Sequence, residues 1–153
     1  MTSSPRSPFV TVPRHRCDIG SIRVGLLMVI SLLAIRGAHA DDLTRANSAF
    51  DRREYSRAFE LYEPLATSGN ASAESAIGSM YYFGNGVGKN WARAYMWFSL
   101  AARSTSAIAT VARTNRDVIA RRMASGDIDL AQFMTDQCLT SHYQNCGLPL
   151  ASD

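Results

Sequence analysis

The fold is decided by the stretch from Asn70 to Thr105, which reads NASAESAIGSMYYFGNGVGKNWARAYMWFSLAARST. Apolar residues recur at helical spacing on both sides of a glycine-rich segment, Gly84 to Lys89. Glycine permits the positive φ that a turn between two helices needs. The pattern therefore predicts a helix from Ala71 to Phe83, a loop, and a second helix from Trp91 to Arg103.

This stretch is related to the sequence before it by a shift of 36 residues. The aligned positions share aromatic or small apolar character: Tyr55 with Trp91, Ala58 with Ala94, Phe59 with Tyr95, Tyr62 with Phe98, and Ala66 with Ala102. Periods of ~20–50 residues indicate stacked units in which each helix pair buries its apolar face against the next. We expect Trp97 and Phe98 to fill the space between the pairs.

A pattern of residue types at fixed spacing runs through both helices and the loop: Ala73, Ile77, Gly78, Met80, Tyr81, Gly84, Gly86 and Val87, then Ala94, Trp97, Phe98, Ala101 and Ala102. It resembles a Sel-1-like repeat, which is a tetratricopeptide-related α/α unit. Two positions depart from the family's usual residues, because Asn90 replaces an aspartate and Thr105 a glycine; Asn90 still caps a helix, as does Asn70. The resemblance implies an all-α chain, a short α/α solenoid of three helix hairpins.

Helical spacing predicts four further helices, from Leu43 to about Asp51, Tyr55 to about Thr67, Ser106 to Met123, and about Ile128 to Thr140. The last two resemble the closing helix pair of short exported members of the family. Pro64 fits its helix only at a kink or near an exposed end. We predict one α/α-repeat domain over 41–147, followed by a tail over 148–153.

Residues 1–40 have the organisation of a cleavable secretory signal peptide. A basic start precedes an apolar run from Val24 to Ile35, and Ala38-His39-Ala40 supplies the A-x-A spacing of a cleavage site. The run is twelve residues long, whereas a helix that spans a bilayer needs ~20. We predict cleavage after Ala40 and a periplasmic or secreted bacterial protein, with an uncleaved leader and membrane tethering as the alternative.

The net charge of +3 comes from the leader, because eleven basic residues face twelve acidic ones beyond Ala40. A chain without excess positive charge has no general attraction to nucleic acid. We therefore expect no nucleic-acid partner, and no membrane contact after cleavage.

Two cysteines follow the leader, Cys138 and Cys146, and an even pair in an exported chain favours a disulfide over two free thiols. Eight residues of continuous helix would separate them by ~12 Å, whereas bonded cysteines have Cα atoms ~5.5 Å apart. The last helix must therefore end between them. His142 is the one histidine beyond the leader, and this set matches no zinc pattern.

The sequence predicts no catalytic residue, cofactor or metal. The segment Gly84 to Lys89 lacks a glycine and a hydroxyl that a phosphate-binding loop requires, and there is no Ser-x-x-Lys or Gly-x-Ser-x-Gly motif. Glu60, Glu63 and Glu74 could act as acid and base, but a solvated helix face explains them better.

Positions outside the repeat pattern are the candidates for partner contact. Tyr82 and Phe83 are large, adjacent and beside the loop, with packing against a neighbouring helix pair as the equal alternative. Arg93 and Arg103, together with Arg121-Arg122, are candidates for a charged rim, with a solvated helix face as the alternative. The resemblance implies a non-catalytic protein-interaction module, an adaptor or regulator of a cell-envelope protein. A cell-wall or β-lactam-related hydrolase is the alternative, since some exported relatives are linked to that chemistry; the oligomeric state is not predicted.

Overall fold

A computed structural model describes residues 41–146. The leader predicted over 1–40 and the tail predicted over 148–153 lie outside the described residues. Every regular element of the described part is a helix: α1 (41–51), α2 (Tyr55–Thr67), α3 (Ala71–Phe83), α4 (Trp91–Ala101), α5 (Ile108–Ala120) and α6 (Ser125–Thr140). Residues 41–146 are therefore all-α, with the three successive helix pairs of a short α/α solenoid.

The predicted ends of α3 and the start of α4 are confirmed by their local hydrogen bonds. The Asn70 side chain accepts from the backbone N–H groups of Ser72 and Ala73, both at 3.1 Å. Gly84 ends α3 in the left-handed conformation with φ 81°, and its N–H donates to Met80. The Asn90 side chain begins α4 by accepting from the N–H of Arg93 at 2.9 Å.

Helix α4 is the centre of the structure, because it packs against α3, α5 and α6. Trp97 and Phe98 are 4% and 2% exposed, as expected of residues that fill the space between helix pairs. Gly78 on α3 lets the Phe98 ring approach, since a Cβ atom at this position would lie 3.1 Å from the ring. The aromatic side chains of the repeat are therefore mostly core.

Two predicted helices prove too long. α4 ends at Ala101 and not at Arg103, because the N–H groups of residues 103 and 104 bond three residues back in a tight turn. The Ser104 hydroxyl then accepts from the N–H of Ser106, which holds that residue in the connecting turn. α5 accordingly runs from Ile108 to Ala120 and not from Ser106 to Met123, with a second tight turn after Ala120.

The last helix starts earlier than predicted, at Ser125 instead of Ile128. The segment Ser125-Gly126-Asp127 was expected to form a connection, but it forms the first turn of α6. The Asp127 carboxylate is favoured beside the positive end of the helix dipole.

The chain reverses after α6 and brings the two cysteines together. Cys138 is fully buried on the helix, and it is joined to Cys146 with their Cα atoms 4.5 Å apart. His142 and Tyr143 make the reversal with φ values of 51° and 67°, and His142 is exposed. α6 thus ends between the cysteines. None of the described helices combines the length and the apolar character that a membrane-spanning segment requires.

Candidate partner-binding site

The two aromatic candidates at the end of α3 differ in their surroundings. Phe83 is 67% exposed, which makes it the most exposed large apolar residue of the described part of the chain. Tyr82 is half-buried and packs against the core. Their rings meet edge to face, with centroids 4.8 Å apart. Of the two alternatives for this pair, Phe83 therefore fits the surface, and Tyr82 fits packing against a neighbouring helix pair.

A cleft of about 100 Å³ opens beside these two rings, between α3 and α5. Its lining comes from α3, α4 and α5: Ser79, Tyr82, Phe83, Phe98, Asn115, Val118 and Ile119. Phe98 and Ile119 are each 2% exposed, so they form an ordered apolar floor. A concave apolar site with a few polar groups is the usual form of a recognition pocket.

Two cations contact Tyr82, which lines the cleft, but neither cation is itself among the lining residues. The Arg122 guanidinium, just beyond α5, donates a hydrogen bond to the Tyr82 hydroxyl. The Lys89 ammonium lies 5.9 Å from the centre of the Tyr82 ring and 5.3 Å from that of Trp91. The ion pairs among the described residues join Arg45 to Asp42, Arg52 and Arg57 to Glu54, and Arg116 to Asp117. Neither Lys89 nor Arg122 takes part in one of these pairs.

The arginines proposed as a charged rim lie in different places. Arg93 donates a hydrogen bond to the Tyr81 hydroxyl at 3.2 Å, and its guanidinium lies over the Tyr81 ring. Arg93 thus contacts a residue of the core. The charge of Arg103 acts on Glu74 and Tyr143. Arg122 is the candidate that contacts Tyr82. Neither Arg93 nor Arg103 lines the cleft beside Tyr82 and Phe83, and their role in partner contact stays a prediction.

Lys89 was not among the residues assigned to this surface, and the cleft itself was not foreseen. A sequence signal for its α5 wall exists, because Asn115, Val118 and Ile119 have the spacing of one helix face, which Arg122 just beyond the helix continues. That spacing does not say which helix the face meets. Only the packing of α3 and α5 on α4 places the two walls opposite each other.

Glu74 is the one acidic side chain of the described residues that lies in the core, at 2% exposure. Its Oε1 atom has no hydrogen-bond partner among these residues. Burial raises the pKa of Glu74 to about 7, although the Tyr143 hydroxyl and the Arg103 charge oppose the shift. Glu60 and Glu63 are exposed, as a solvated helix face requires, and the three glutamates share no site.

A second depression, of about 260 Å³, lies between α1 and α2. Its basic residues are Arg45, Arg52 and Arg57, and each is paired with a carboxylate. Because Arg52 and Arg57 share Glu54, the carboxylates balance this positive charge only in part. Residues 41–146 contain no group of three or more His, Cys, Asp or Glu side chains arranged to hold a metal ion.

No protein-family model and no curated protein matches the chain. A solved structure that it resembles is the crystal structure of a protective antigen present in uropathogenic Escherichia coli strains, which displays a Sel-1-like repeat fold. The match has a TM-score of 0.61 at 19% sequence identity and covers 78% of this chain. It spans 28% of the length of that antigen. The protein therefore has a Sel-1-like repeat fold, as the resemblance of Asn70 to Thr105 predicts.

Proposed function

We propose that this protein is an exported, non-catalytic interaction module that acts as an adaptor or regulator of a protein in the cell envelope. The observation that carries the proposal is the exposed Phe83 ring beside an apolar cleft on a Sel-1-like repeat. Aromatic residues are enriched at protein interfaces, where a few anchor residues carry most of the binding energy.

Export is supported by two independent features of the chain. The first is the basic, apolar and A-x-A organisation of residues 1–40. The second is the pairing of Cys138 with Cys146, since disulfides persist in oxidising compartments. On this proposal the mature protein begins at Asp41 and meets its partner outside the cytoplasm.

Photo-crosslinking in the cells that produce the protein tests the proposal. Phe83→p-benzoylphenylalanine places the reactive group at the cleft, and Glu60→p-benzoylphenylalanine places it on an exposed part of α2 as the matched control. We expect an adduct with an envelope protein from position 83 alone, on a chain whose first residue is Asp41. Identical adducts from both positions, a solely cytoplasmic partner, or a retained leader would contradict the proposal.

A further inference from the structure

Resting on the proposed function, we infer that the cleft between α3 and α5 binds a segment of the partner in which a branched aliphatic side chain lies next to an acidic one. The aliphatic side chain enters the apolar cleft, and the carboxylate faces Lys89 and Arg122. Phe83 covers the inserted side chain from the surface.

The size and lining of the cleft select the aliphatic group. Its volume is about 100 Å³, whereas a cavity of ~150 Å³ accommodates benzene. Phe98 and Ile119 at its floor are almost completely buried, so they do not move aside easily. The cleft therefore has room for one compact apolar side chain, such as valine, leucine or isoleucine.

The charges select the acidic group. Lys89 and Arg122 approach Tyr82 without a carboxylate partner among the described residues. A guanidinium carries five N–H donors, and Arg122 uses only part of this capacity on the Tyr82 hydroxyl. A carboxylate that accepts from Arg122 forms a charge-assisted hydrogen bond, which is stronger than a neutral one. A basic segment would instead be repelled by both cations.

The distance between the two subsites is short, because Tyr82 belongs to both. Its ring lines the cleft, and its hydroxyl accepts from Arg122. The aliphatic and acidic side chains of the bound segment must therefore be close neighbours in sequence. This requirement separates the proposal from simple attraction between a basic surface and any acidic protein.

Selection from a random dodecapeptide display library on the purified protein tests the inference. We expect the enriched peptides to carry Val, Leu or Ile within two residues of Asp or Glu. For such a peptide, a rise in NaCl from about 0.05 to about 0.5 M should weaken binding through screening. Failure to enrich any peptide, or enrichment of peptides without an acidic residue, would overturn the inference.

Variants of two exposed residues locate the binding. Phe83→Ala should raise the Kd of an enriched peptide at least about tenfold, because it removes the aromatic cover. Arg122→Gln should raise it about five- to tenfold and should reduce its salt dependence. The matched controls are Phe133→Ala on α6 and Arg116→Gln, whose charge is already paired with Asp117. Each control should stay within about twofold of the wild type.

Binding that survives Arg122→Gln unchanged would overturn the inference even if acidic peptides are enriched. The failure of the inference is distinct from the failure of the proposed function. If position 83 crosslinks to an envelope protein but no acidic-aliphatic peptides are enriched, the adaptor role stands and the proposed peptide specificity fails. If such peptides are enriched but position 83 gives no adduct with an envelope protein, the peptide specificity stands and the adaptor role fails.

Discussion

At the scale of single residues, Glu74 is a buried carboxyl group in the first turn of α3. Its position beside the helix N-terminus favours negative charge, but its removal from water disfavours it. Burial is the larger effect, and it raises the pKa of Glu74 to about 7. Burial and the Glu74 charge also raise the pKa of Tyr143 to about 12, so its phenol keeps the proton at neutral pH.

This burial makes stability depend on pH in a defined direction. The Glu74 pKa rises from its ordinary value of 4.5 to about 7 on folding, so the folded chain binds more protons between these two pH values. The contribution of Glu74 to the free energy of unfolding should therefore be full below about pH 4.5 and should fall as pH rises to about 7. The loss should be on the order of 1–3 kcal/mol.

Urea unfolding at several pH values measures this contribution when the wild type is compared with Glu74→Gln. Glutamine is similar in shape but does not titrate, so the difference between the two profiles isolates the carboxyl group. The wild type should lose stability relative to the variant as pH rises. Two parallel profiles would show that Glu74 ionises in the folded state as readily as in water.

At the scale of elements, the loop between α3 and α4 is a packed part of the structure. Gly86 has φ 73°, and a Cβ atom there would lie 2.6 Å from the carbonyl carbon of Tyr55, the first residue of α2. The loop therefore approaches the backbone of the preceding helix pair. Gly88 of the same loop has no atom within 4 Å of a Cβ position.

Gly86→Ala and Gly88→Ala form a matched pair that tests this packing. Gly86→Ala should lower the free energy of unfolding by about 1–3 kcal/mol or more, because it combines a clash with a strained backbone. Gly88→Ala should leave it unchanged or raise it by up to about 1 kcal/mol. Urea unfolding measures both values. An equal loss of unfolding free energy in the two variants would mean that the loop does not pack against α2.

At the scale of the whole molecule, the short loop that the disulfide closes lies against the junction between α2 and α3. The reversal closed by Cys138 and Cys146 carries Tyr143. The Tyr143 hydroxyl would lie 3.9 Å from a Cβ atom at Gly69, and it acts on Glu74. The segment after α6 thus covers the junction between α2 and α3, where the buried carboxyl group lies.

Loss of this bond should cost stability. Cys146→Ser changes the half-exposed partner and should lower the free energy of unfolding by ~2–3 kcal/mol on the chain-entropy model for so short a loop. That is a large share of the ~5–15 kcal/mol typical of a domain. Urea unfolding gives the value, and the reduced wild type is the control that should match the variant. Two free thiols in the denatured, unreduced wild type would contradict the prediction.

The sequence by itself determined the features that depend on near neighbours. Asn70 and Asn90 cap their helices, and Gly84 ends α3, because each group bonds within a few residues of itself. The 36-residue repeat and the small and aromatic positions of Asn70 to Thr105 predicted the fold, since one helix pair buries its apolar face only against another. The predicted helix ends at Arg103, Ser106, Met123 and Ile128 were wrong, because the tight turns and the first-turn glycine leave weak signals in the sequence.

Only the tertiary structure decided the partners of the candidate site. Arg122 reaches Tyr82 across 40 residues of chain, and Arg93, which the sequence grouped with Tyr82, bonds to Tyr81 instead. These contacts depend on how α3 and α5 are placed around α4. Because successive residues of a helix lie about 100° apart, a rotation of α3 by one residue would turn Tyr81 to where Tyr82 lies. Helical spacing states which residues share a face, whereas packing at the core decides what that face meets.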